Sequence, residues 1–334
     1  MGTIYITTED SFITKVDERL VVKADKKSIL DVPLIKTDGL VVIGRCSVTP
    51  ALISELLTRK IPLSYLTQGG KYLGRLEPEL GKNIFVRQAQ WQAASNIEFK
   101  THVVKGFIRG KLKNYRNLLQ KRSREYSELD LNSNIDQIKH AINSLETTED
   151  INGLRGYEGI GSKAYFGCFD KLIKNPTFAF DTRRRRPPTD PVNSLLSLGY
   201  SLLRNEIQSA LNIVGFDPYL GYLHTARYGR PSLALDLMEE FRPIVADAVV
   251  LTLINRNFLC SNDFVSEPIS NAVYLTKDGL RTFLTHYEQK KQSTFKHPVL
   301  QTKCTYREAF EIQARLLAKY LMQEIDKYPP LVLS

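Results

Sequence analysis

The chain has 334 residues, and its 43% hydrophobic and 25% charged content exclude a protein dominated by disorder. On the usual prior of roughly 100 to 200 residues per domain, this length favours two domains. Lys and Arg outnumber Asp and Glu by 46 to 36, so the net charge of +10 favours polyanionic partners, nucleic acid before a membrane surface.

Cysteine usage and the N-terminus bear on the compartment. The four cysteines are far apart and form no CxxC pair, so we expect buried thiols in a reducing environment and no structural zinc. The stretch MGTIYITTEDSF lacks the basic and apolar regions of a secretory signal. No window approaches 18 uninterrupted apolar residues, so we expect no membrane span and a soluble intracellular protein.

Residues 1–80 predict a small β domain. Short alternating runs (TIYIT, SFITKV, RLVVKA, LVVIG and PLSYL) are separated by turn residues, which is typical of strands. Gly69 and Gly70 stand where a hairpin needs a positive φ. One helix interrupts the strands, with Thr49 as its N-cap and Pro50 at its first position.

Residues 86–334 predict a larger all-helical domain, because apolar residues recur at intervals of three and four from about Val86 onward. This change of period is the only sign of a boundary, since no repeat or low-complexity linker separates the two parts. The predicted fold class is therefore α+β, a small N-terminal β domain followed by a helical one.

A basic segment lies early in the helical part. Between Lys100 and Arg124 the chain carries nine basic residues and no acid, with Phe107 and Tyr115 interleaved. Such a helix can follow a phosphate backbone; the alternative is a solvated helical face, although such faces usually mix both signs. The residues expected to contact DNA here are Lys105, Arg109, Lys113 and Arg116.

A single carboxylate, Glu158, stands in the next stretch, GLRGYEGIGSKAYFGCF. Glycines flank it, and the small residues Gly161 and Ser162 follow it, which predicts a Gly-flanked turn. Tyr165 and Phe166 are expected to anchor a helix behind this turn. The question is why the chain sets one acid there.

A second basic segment precedes two prolines and a helix that is predicted to begin near Pro191 or Val192. It consists of Arg183, Arg184, Arg185 and Arg186. The prolines keep these arginines on a stiff, non-helical segment, which suits binding to phosphate or to a carboxylate cluster. An exposed linker or a localisation signal is the alternative, because short basic runs are common.

The third segment, residues 215–247, contains a helix predicted to begin near Ser232 that crowds three acids onto one side. These acids are Asp236, Glu239 and Glu240. Like charges at this spacing repel, so a metal ion or nearby arginines should offset them. The arginines are Arg227, Arg230 and Arg242. His224 can fold back over the acidic side, but taken alone it suits a structural role, and the acids alone suit a solvated face.

In combination, Glu158, His224 and a carboxylate pair within a basic protein form an N/O ligand set suited to Mg²⁺ or Mn²⁺. For phosphodiester chemistry, such an ion acts as a Lewis acid on the phosphoryl oxygens and can orient the attacking hydroxyl. These residues therefore predict a metal-dependent nucleic-acid enzyme.

Three blocks of the chain resemble the signature blocks of the CRISPR-associated adaptation integrase family, the DNA endonucleases and integrases that insert new spacers. The blocks are YEGIGSKAYF, RRRRPPTDPVNSLLSLGYSLL and GFDPYLGYLHTARYGRPSLALDLMEEFRP. Their order, their spacing and the two-part layout around them all fit. The resemblance implies an N-terminal β domain for dimerisation and DNA contact, residues 1–80, and a helical metal-dependent catalytic domain, residues 86–334.

By this resemblance the chain carries a specific ligand set. The implied metal ligands are Glu158, His224 and Glu239. Asp236 is the second catalytic carboxylate, one turn before Glu239, and whether it or Glu239 lies closer to the ion stays open. Gly161 and Ser162 replace the two alanines common in the family, and Glu239 replaces an aspartate found in some members. Glu240 is expected close behind the ligands or at the surface.

The implied reaction inserts short DNA fragments into a CRISPR repeat array. A 3′-hydroxyl attacks a phosphodiester at a repeat border with Mg²⁺ or Mn²⁺ present, and the same site run backwards cleaves branched DNA. The basic segments, with Arg227 and Arg230 beside His224, would hold the DNA. Implied partners are double-stranded and branched DNA, a second copy in a homodimer, and a small protein that bridges two dimers in the prokaryotic cytoplasm.

Two alternatives remain from the residues alone. One keeps the metal site in a stand-alone nuclease for branched DNA in repair. The other is a non-catalytic DNA-binding scaffold in which Asp236 and Glu239 pair only with arginines. Dependence on a divalent metal separates the scaffold from the two enzymes.

Overall fold

The computed structural model describes residues 2–70, 72–77, 83–184 and 187–333. Strands dominate before residue 77, and helices dominate after residue 83. The predicted fold class, a small β part followed by a larger helical part, is confirmed.

Two four-stranded sheets form the N-terminal part. Their strands are β1 (Gly2–Ile6), β2 (Ser11–Val16), β3 (Arg19–Ala24), β4 (Lys27–Pro33), β5 (Thr37–Ile43), β6 (Cys46–Val48), β7 (Leu63–Leu66) and β8 (Tyr72–Leu76). The first sheet has the order β1-β5-β7-β8, and the second has the order β4-β3-β2-β6. In the first sheet β1, β5 and β7 run parallel, while β8 returns antiparallel to β7.

Local chemistry explains the helix and the turn that were predicted in this part. Helix α1 (Pro50–Thr58) begins after Thr49, whose hydroxyl accepts a hydrogen bond from a backbone N–H of the first turn. In the β7–β8 turn Gly70 has a φ of +78°, as predicted. Gly69 serves a different purpose, because a Cβ there would lie 2.8 Å from the ring of Tyr274.

Helices form most of the remaining chain. They are α2 (Ile84–Ser95), α3 (Ile97–Glu125), α4 (Asn132–Thr147), α5 (Ile151–Phe166), α6 (Pro191–Val214), α7 (Ser232–Met238), α8 (Ala248–Asn255), α9 (Lys277–Gln292) and α10 (Tyr306–Leu321). No helix within the described residues is long and apolar enough to cross a membrane.

Two small sheets lie among these helices and were not predicted. Strand β9 (Phe264–Ser266) pairs with β10 (Val273–Leu275), and β11 (Thr294–Lys296) pairs with β12 (Lys303–Thr305). Each strand has three residues, so alternation along the sequence cannot reveal it.

Helix α3 is the central helix of this part and packs against α2, α4, α5 and α7. It is separated from α2 by Asn96, whose side chain accepts the N–H of Phe99 at 3.0 Å and so caps α3. The apolar period alone did not reveal this break. A central position means that α3 buries much of its surface, which matters for the basic residues it carries.

Strand β5 separates two hydrophobic cores. Its residues Leu40 and Val42 belong to the core of the β part, whereas Val41 and Ile43 belong to the core of the helical part. Successive residues of a strand point to opposite faces, so one strand can serve both cores. Leu66 of β7 also joins the helical core, and the two parts therefore share apolar residues.

A buried ion cluster joins the first strand to the helices. The Lys291 ammonium on α9 lies 2.6 Å from Glu206 Oε1 on α6 and 2.8 Å from Glu288 Oε2 on α9. It also donates to the Thr3 hydroxyl at 2.7 Å, and Glu288 accepts the backbone N–H of Thr3 at 3.0 Å. Strand β1 is thus fixed to α6 and α9 by charge-assisted hydrogen bonds.

The cysteines fit the expectation only in part. Cys168 and Cys304 are buried, whereas Cys46 is half-buried and Cys260 is exposed, so the prediction of buried thiols is wrong for these two. All four are free. Cys260 precedes a short surface turn, where its N–H donates to the carboxylate of Asp263 at 2.8 Å, and a thiol there has no core to enter.

Candidate metal and DNA site

Glu158 lies in the middle of α5, so the predicted Gly-flanked turn is wrong. The helix forms despite its glycines because Asp150 caps it, accepting the N–H of Gly153 at 2.7 Å, and because it packs on α3 and α4. Two of the glycines, Gly156 and Gly159, face open space. Each glycine costs the helix about 1 kcal/mol relative to alanine, which tertiary packing offsets.

Gly161 brings α5 close to α3. A Cβ at this position would lie 2.3 Å from a methyl carbon of Leu112, so a larger residue requires the Leu112 side chain or the helices to move. As predicted, Tyr165 and Phe166 anchor this helix, because the ring of Tyr165 stacks on Tyr115 of α3 at 3.7 Å and Phe166 meets the same ring edge-on. Close packing thus places the Glu158 carboxylate against residues of α3.

His224 lies on the loop before α7, and the buried Asp236 carboxylate holds it. Asp236 accepts the backbone N–H groups of Tyr222, Leu223 and His224 at 2.6, 2.9 and 2.9 Å. Its Oδ1 also lies 2.6 Å from Nδ1 of the His224 ring, which places the ring proton on Nδ1. Both oxygens of Asp236 are engaged, and Nε2 of His224 is left for another partner.

Glu239 lies where α7 changes its path. Pro243 has no N–H to donate to the Glu239 carbonyl, and the chain widens into a π-helix over Arg242–Asp247 before α8 continues. The Glu239 side chain is 5% exposed, and its Oε1 accepts a hydrogen bond from Arg242 at 2.7 Å. Such wide turns are frequent at functional sites.

Lys111 of α3 lies between the two glutamates. Its ammonium contacts Glu158 Oε1 and lies 2.7 Å from Glu239 Oε2, and its side chain is 3% exposed. Glu158 Oε1 also accepts from the Ser162 hydroxyl at 2.9 Å. Residues from α3, from α5 and from the C-terminal end of α7 therefore meet at one buried cation.

Both glutamates are ionised at neutral pH. Burial alone would raise the pKa of Glu158, but the Lys111 ammonium outweighs it and holds that pKa below its usual value. Burial alone would also raise the pKa of Glu239, but Arg242, Lys111 and His224 together outweigh it and hold that pKa far below its usual value. The site thus presents two carboxylates ready to bind a cation.

The helix acids are not a solvated face. Asp236, Glu239 and Glu240 are all buried. Arg242 offsets the charge of Glu239, in line with the prediction that a metal ion or nearby arginines would offset these acids. Glu240, which was expected close behind the ligands or at the surface, is fully buried and binds the C-terminal segment. It accepts the Tyr328 hydroxyl and the Leu331 N–H, each at 2.7 Å.

A second buried acid, Asp247, lies behind the site. It accepts the hydroxyls of Tyr200 at 2.6 Å and Tyr165 at 3.1 Å. The guanidinium of Arg242 stacks over the Tyr200 ring at 4.1 Å from its centre. This network connects α5, α6 and the π-helix, and through Arg242 it reaches Glu239.

The basic run between Lys100 and Arg124 belongs to the central helix α3 and not to a freely exposed helix. The four residues expected to contact DNA are all half-buried: Lys105, Arg109, Lys113 and Arg116. Lys105 donates to the Glu146 carbonyl at 3.0 Å, and Arg109 pairs with the Glu146 carboxylate at 2.7 Å. Part of the charge of this run is thus used inside the protein.

The four-arginine segment is only partly within the described residues, because Arg185 and Arg186 lie outside them. Arg183 donates to the side chains of Asn193 at 2.7 Å and Ser197 at 3.1 Å, so it is pinned to α6. Arg184 is exposed, 3.4 Å from Asp181. Helix α6 begins at Pro191, as predicted, with Asp190 as its N-cap.

The loop between His224 and α7 presents the other two predicted DNA-binding arginines. The N–H of Arg230 donates to the Arg227 carbonyl at 3.0 Å and closes a tight turn. Arg227 is exposed, Arg230 is half-buried, and Tyr228 between them is fully exposed. The turn therefore exposes the Arg227 cation and the Tyr228 ring to solvent. They follow His224 by three and four positions along the chain.

Sequence reasoning missed the roles of Lys111 and Asp247. A signal for Lys111 was present, because Phe107, Lys111 and Tyr115 are spaced by four and share one face of a helix, so the lysine lies within a buried stripe. Asp247 gave no such signal, since one acid in an apolar helix is equally compatible with a surface position.

The ligand chemistry fits a divalent cation. Glu158, Glu239 and the Nε2 of His224 offer oxygen and imidazole donors of the kind that Mg²⁺ and Mn²⁺ accept. Within the described ranges no three His, Cys, Asp or Glu side chains are already close enough together to hold an ion. Lys111 instead lies between two of the three, and it marks this place as one that attracts positive charge.

Comparison with known proteins identifies the family. Residues 4–289 match the family described as CRISPR associated protein Cas1. A protein named CRISPR-associated endonuclease Cas1 1 from Chlorobaculum tepidum is 36% identical over 99% of this chain and 98% of its own length. A protein named CRISPR-associated endonuclease Cas1 3 from Thermus thermophilus is 38% identical over 99% and 97%. The chain belongs to the Cas1 family.

Solved structures share the fold. A casposase bound to integration product has a TM-score of 0.87 at 24% identity, covering 100% of this chain and 95% of the other. A Cas1 protein from Thermotoga maritima has a TM-score of 0.81 at 24% identity, covering 96% and 97%. A chain of a Cas6–RT–Cas1–Cas2 complex has a TM-score of 0.82 at 23% identity, with 98% of this chain and 36% of that one covered.

Proposed function

We propose that this protein is a metal-dependent DNA endonuclease and integrase that inserts short DNA fragments into a CRISPR repeat array. The observation that carries the proposal is the meeting of Glu158, Glu239 and Lys111 from three helices, beside a histidine oriented by Asp236. Membership of a family whose curated relatives are named endonucleases supports the same reaction class.

Glu158, His224 and Glu239 would hold the divalent ion, Mg²⁺ or Mn²⁺. When bound, the ion supplies Lewis acidity toward the phosphoryl oxygens of the scissile phosphodiester. A ligand set without thiolate suits these hard ions.

Asp236 acts as a positioning residue and not as a ligand. Its two oxygens already accept three backbone N–H groups and face the Nδ1 of His224, so a fifth partner would have to displace one of these contacts. By keeping the proton on Nδ1, Asp236 directs the lone pair of Nε2 outward. These contacts support Glu239, and not Asp236, as the helix carboxylate that would meet the ion.

The remaining residues of the site would hold the DNA. Arg227 and Tyr228 are exposed on a turn that follows the histidine, where a guanidinium suits a phosphate and an aromatic ring suits a base. Arg184, which is exposed ahead of α6, is a further candidate for a phosphate contact. These groups would bring a 3′-hydroxyl and the target phosphodiester together, which converts a bimolecular reaction into a local one.

The proposed partners follow from the relatives. A casposase of the same fold is bound to an integration product, and a chain of the same fold occurs in a complex with Cas2. By analogy the chain binds double-stranded and branched DNA and forms homodimers that a small partner protein bridges. The net charge of +10 agrees with a polyanionic substrate.

The test measures strand joining and cleavage by the purified protein. A labelled duplex with free 3′-hydroxyls is incubated with a repeat-containing plasmid, and a branched DNA is assayed in parallel, with Mn²⁺ or with EDTA. We expect EDTA, Glu158→Ala and His224→Ala each to reduce both reactions at least about 100-fold. Lys139→Ala, which alters an exposed lysine paired with Asp136 on α4, serves as the matched control.

Circular dichroism and DNA binding establish that each variant is folded and still holds its substrate. Loss of both reactions with retained DNA binding supports the proposal. Cleavage without joining would favour a repair nuclease over an integrase. Full activity with EDTA and with both variants would overturn the metal site, whereas DNA binding by wild type without either reaction would favour the non-catalytic scaffold.

A further inference from the structure

Lys111 occupies the centre of the candidate metal site. Its ammonium contacts Glu158 Oε1 and lies 2.7 Å from Glu239 Oε2, so one cation joins two of the three proposed ligands. Its side chain is 3% exposed, and α3 brings it there from the core of the helical part. A buried lysine at such a place has consequences for how a metal ion enters.

The charges of the two proposed glutamate ligands are balanced without a metal. Glu158 and Glu239 contribute two negative charges, and Lys111 and Arg242 contribute two positive ones. Buried carboxylates need such partners, because an unpaired buried charge is costly. The lysine therefore supplies the compensation that a divalent ion would otherwise supply.

The two cations differ in how freely they can leave. Arg242 donates to Glu239 Oε1 and stacks over the Tyr200 ring, so its planar group is fixed on two sides. Lys111 reaches its partners on a flexible four-carbon stem, and its ammonium is 5.6 Å from the centre of the Tyr115 ring. Lysine can swing away from the carboxylates while keeping an aromatic face as a neighbour.

We propose that Lys111 is a built-in counterion that a divalent metal displaces from Glu158 and Glu239. The proposal rests on the metal site of the proposed function and adds how that site is regulated. Without metal the lysine keeps the carboxylates neutralised and the site closed. Metal binding is then an exchange of one cation for another, and its affinity is lowered by the contacts that Lys111 gives up.

Exchange also couples the metal to the DNA. The two glutamates, Lys111 and Arg242 together carry no net charge, so a divalent ion added to them leaves two positive charges in excess. The displaced ammonium also becomes available to a phosphate. DNA should therefore bind more tightly with metal present, and metal more tightly with DNA present, by the same factor. A lysine that stays between the carboxylates is not available to a phosphate, which predicts a smaller gain.

The experiment compares Mn²⁺ binding to wild type and to Lys111→Met by calorimetry without DNA, so that activity is not the readout. Methionine keeps the length of the stem and removes the charge. We expect Mn²⁺ to bind Lys111→Met at least about tenfold more tightly, and to raise its melting temperature more than that of wild type. Lys139→Met is the matched control and should bind Mn²⁺ as wild type does.

Further variants separate the outcomes. Lys111→Gln replaces Lys111→Met if the latter does not fold without metal, and Glu158→Gln reports whether Mn²⁺ binds at this place. Equal Mn²⁺ affinity in wild type and Lys111→Met, with Glu158→Gln abolishing binding in both, would overturn the exchange while the proposed metal site stands. If Glu158→Gln changes nothing, the metal site of the proposed function fails, and the exchange fails with it.

Discussion

Asp247 shows how one buried acid ties the stability of this protein to pH. Burial raises its pKa to about 6, against the opposing effects of the Tyr200 hydroxyl, Arg242, the Tyr165 hydroxyl and Arg183. A carboxyl group with a raised pKa holds its proton up to a higher pH in the folded chain than in the unfolded chain. Its contribution to stability is therefore complete below the unfolded pKa of 3.8 and is lost as the pH rises through about 6.

Asp247→Asn should remove this dependence. The amide keeps the shape, and the two tyrosine hydroxyls can reorient to meet it. We expect the free energy of unfolding of the variant to gain about 2 kcal/mol relative to wild type between pH 4.5 and pH 7. Urea unfolding at several pH values measures this, with Asp136→Asn, an exposed acid of α4, as control. Parallel pH profiles for wild type and Asp247→Asn would contradict the assignment.

Individual residues of the site were predictable where their chemistry is unusual for their surroundings. A lone Glu158 among glycines, and His224 upstream of an acidic helix, stand out from the sequence. Asp236 was found as an acid, but its task of holding the histidine depends on three backbone N–H groups that only the folded loop brings together. Lys111 was not recognised as a residue of the site, because the basic run that contains it was interpreted as a DNA-binding helix.

The approach of α5 to α3 depends on a single glycine. Gly161→Ala places a methyl group 2.3 Å from Leu112, whereas Gly156→Ala on the same helix meets nothing within 4 Å. We expect Gly161→Ala to lower the free energy of unfolding by about 1 to 3 kcal/mol and Gly156→Ala to raise it by about 0.5 to 1 kcal/mol. Because Leu112 is fully buried, displacing its side chain disturbs the packing of α5 on α3, and Gly161→Ala should also weaken Mn²⁺-dependent cleavage.

Thermal unfolding and the branched-DNA assay check both effects. Gly156→Ala is the matched control, since the substitution and the helix are the same and only the neighbour differs. Equal effects of the two alanines on stability would mean that helix propensity, and not the contact with α3, decides the outcome.

Elements with a regular period were predicted best. The runs SFITKV and RLVVKA coincide with β2 and β3. In β2 the buried residues Ser11 and Ile13 share one face, whereas β3 is recognised from a short apolar run whose three central residues are all buried. Glu158 was assigned to a turn because propensity counts its glycines against a helix, whereas packing on α3 and α4 decides the structure. The four three-residue strands are too short to produce a pattern.

The β part and the helical part are coupled by the shared core and by the Lys291 cluster. Residues 1–80 and 86–334 remain the predicted domains, but Val41, Ile43 and Leu66 give the helical core part of its apolar surface. We therefore expect a single unfolding transition in urea, in which Trp91 fluorescence and far-ultraviolet circular dichroism coincide. Two separated transitions would mean that the parts fold independently.

Lys291→Met should lower the stability of the whole chain. The substitution leaves Glu206 and Glu288 without their buried partner, which costs about 3 to 5 kcal/mol in comparable buried pairs. Both probes should shift together in this variant, and Lys319→Met, an exposed lysine of α10, should leave them unchanged. A shift in only one probe would contradict coupling through this cluster.

The last residues of the chain are part of the support for the site. Leu331 donates to Glu240, which is adjacent to the proposed ligand Glu239, and Asn114 on α3 bonds the Leu331 carbonyl at 2.8 Å and the Leu333 N–H at 2.9 Å. A gene copy that lost its final codons to a premature stop would keep every signature block and pass as intact in a genome survey. Its product would nevertheless leave Glu240 buried without two of its donors, so surveys of working adaptation systems should read these genes to their last codon.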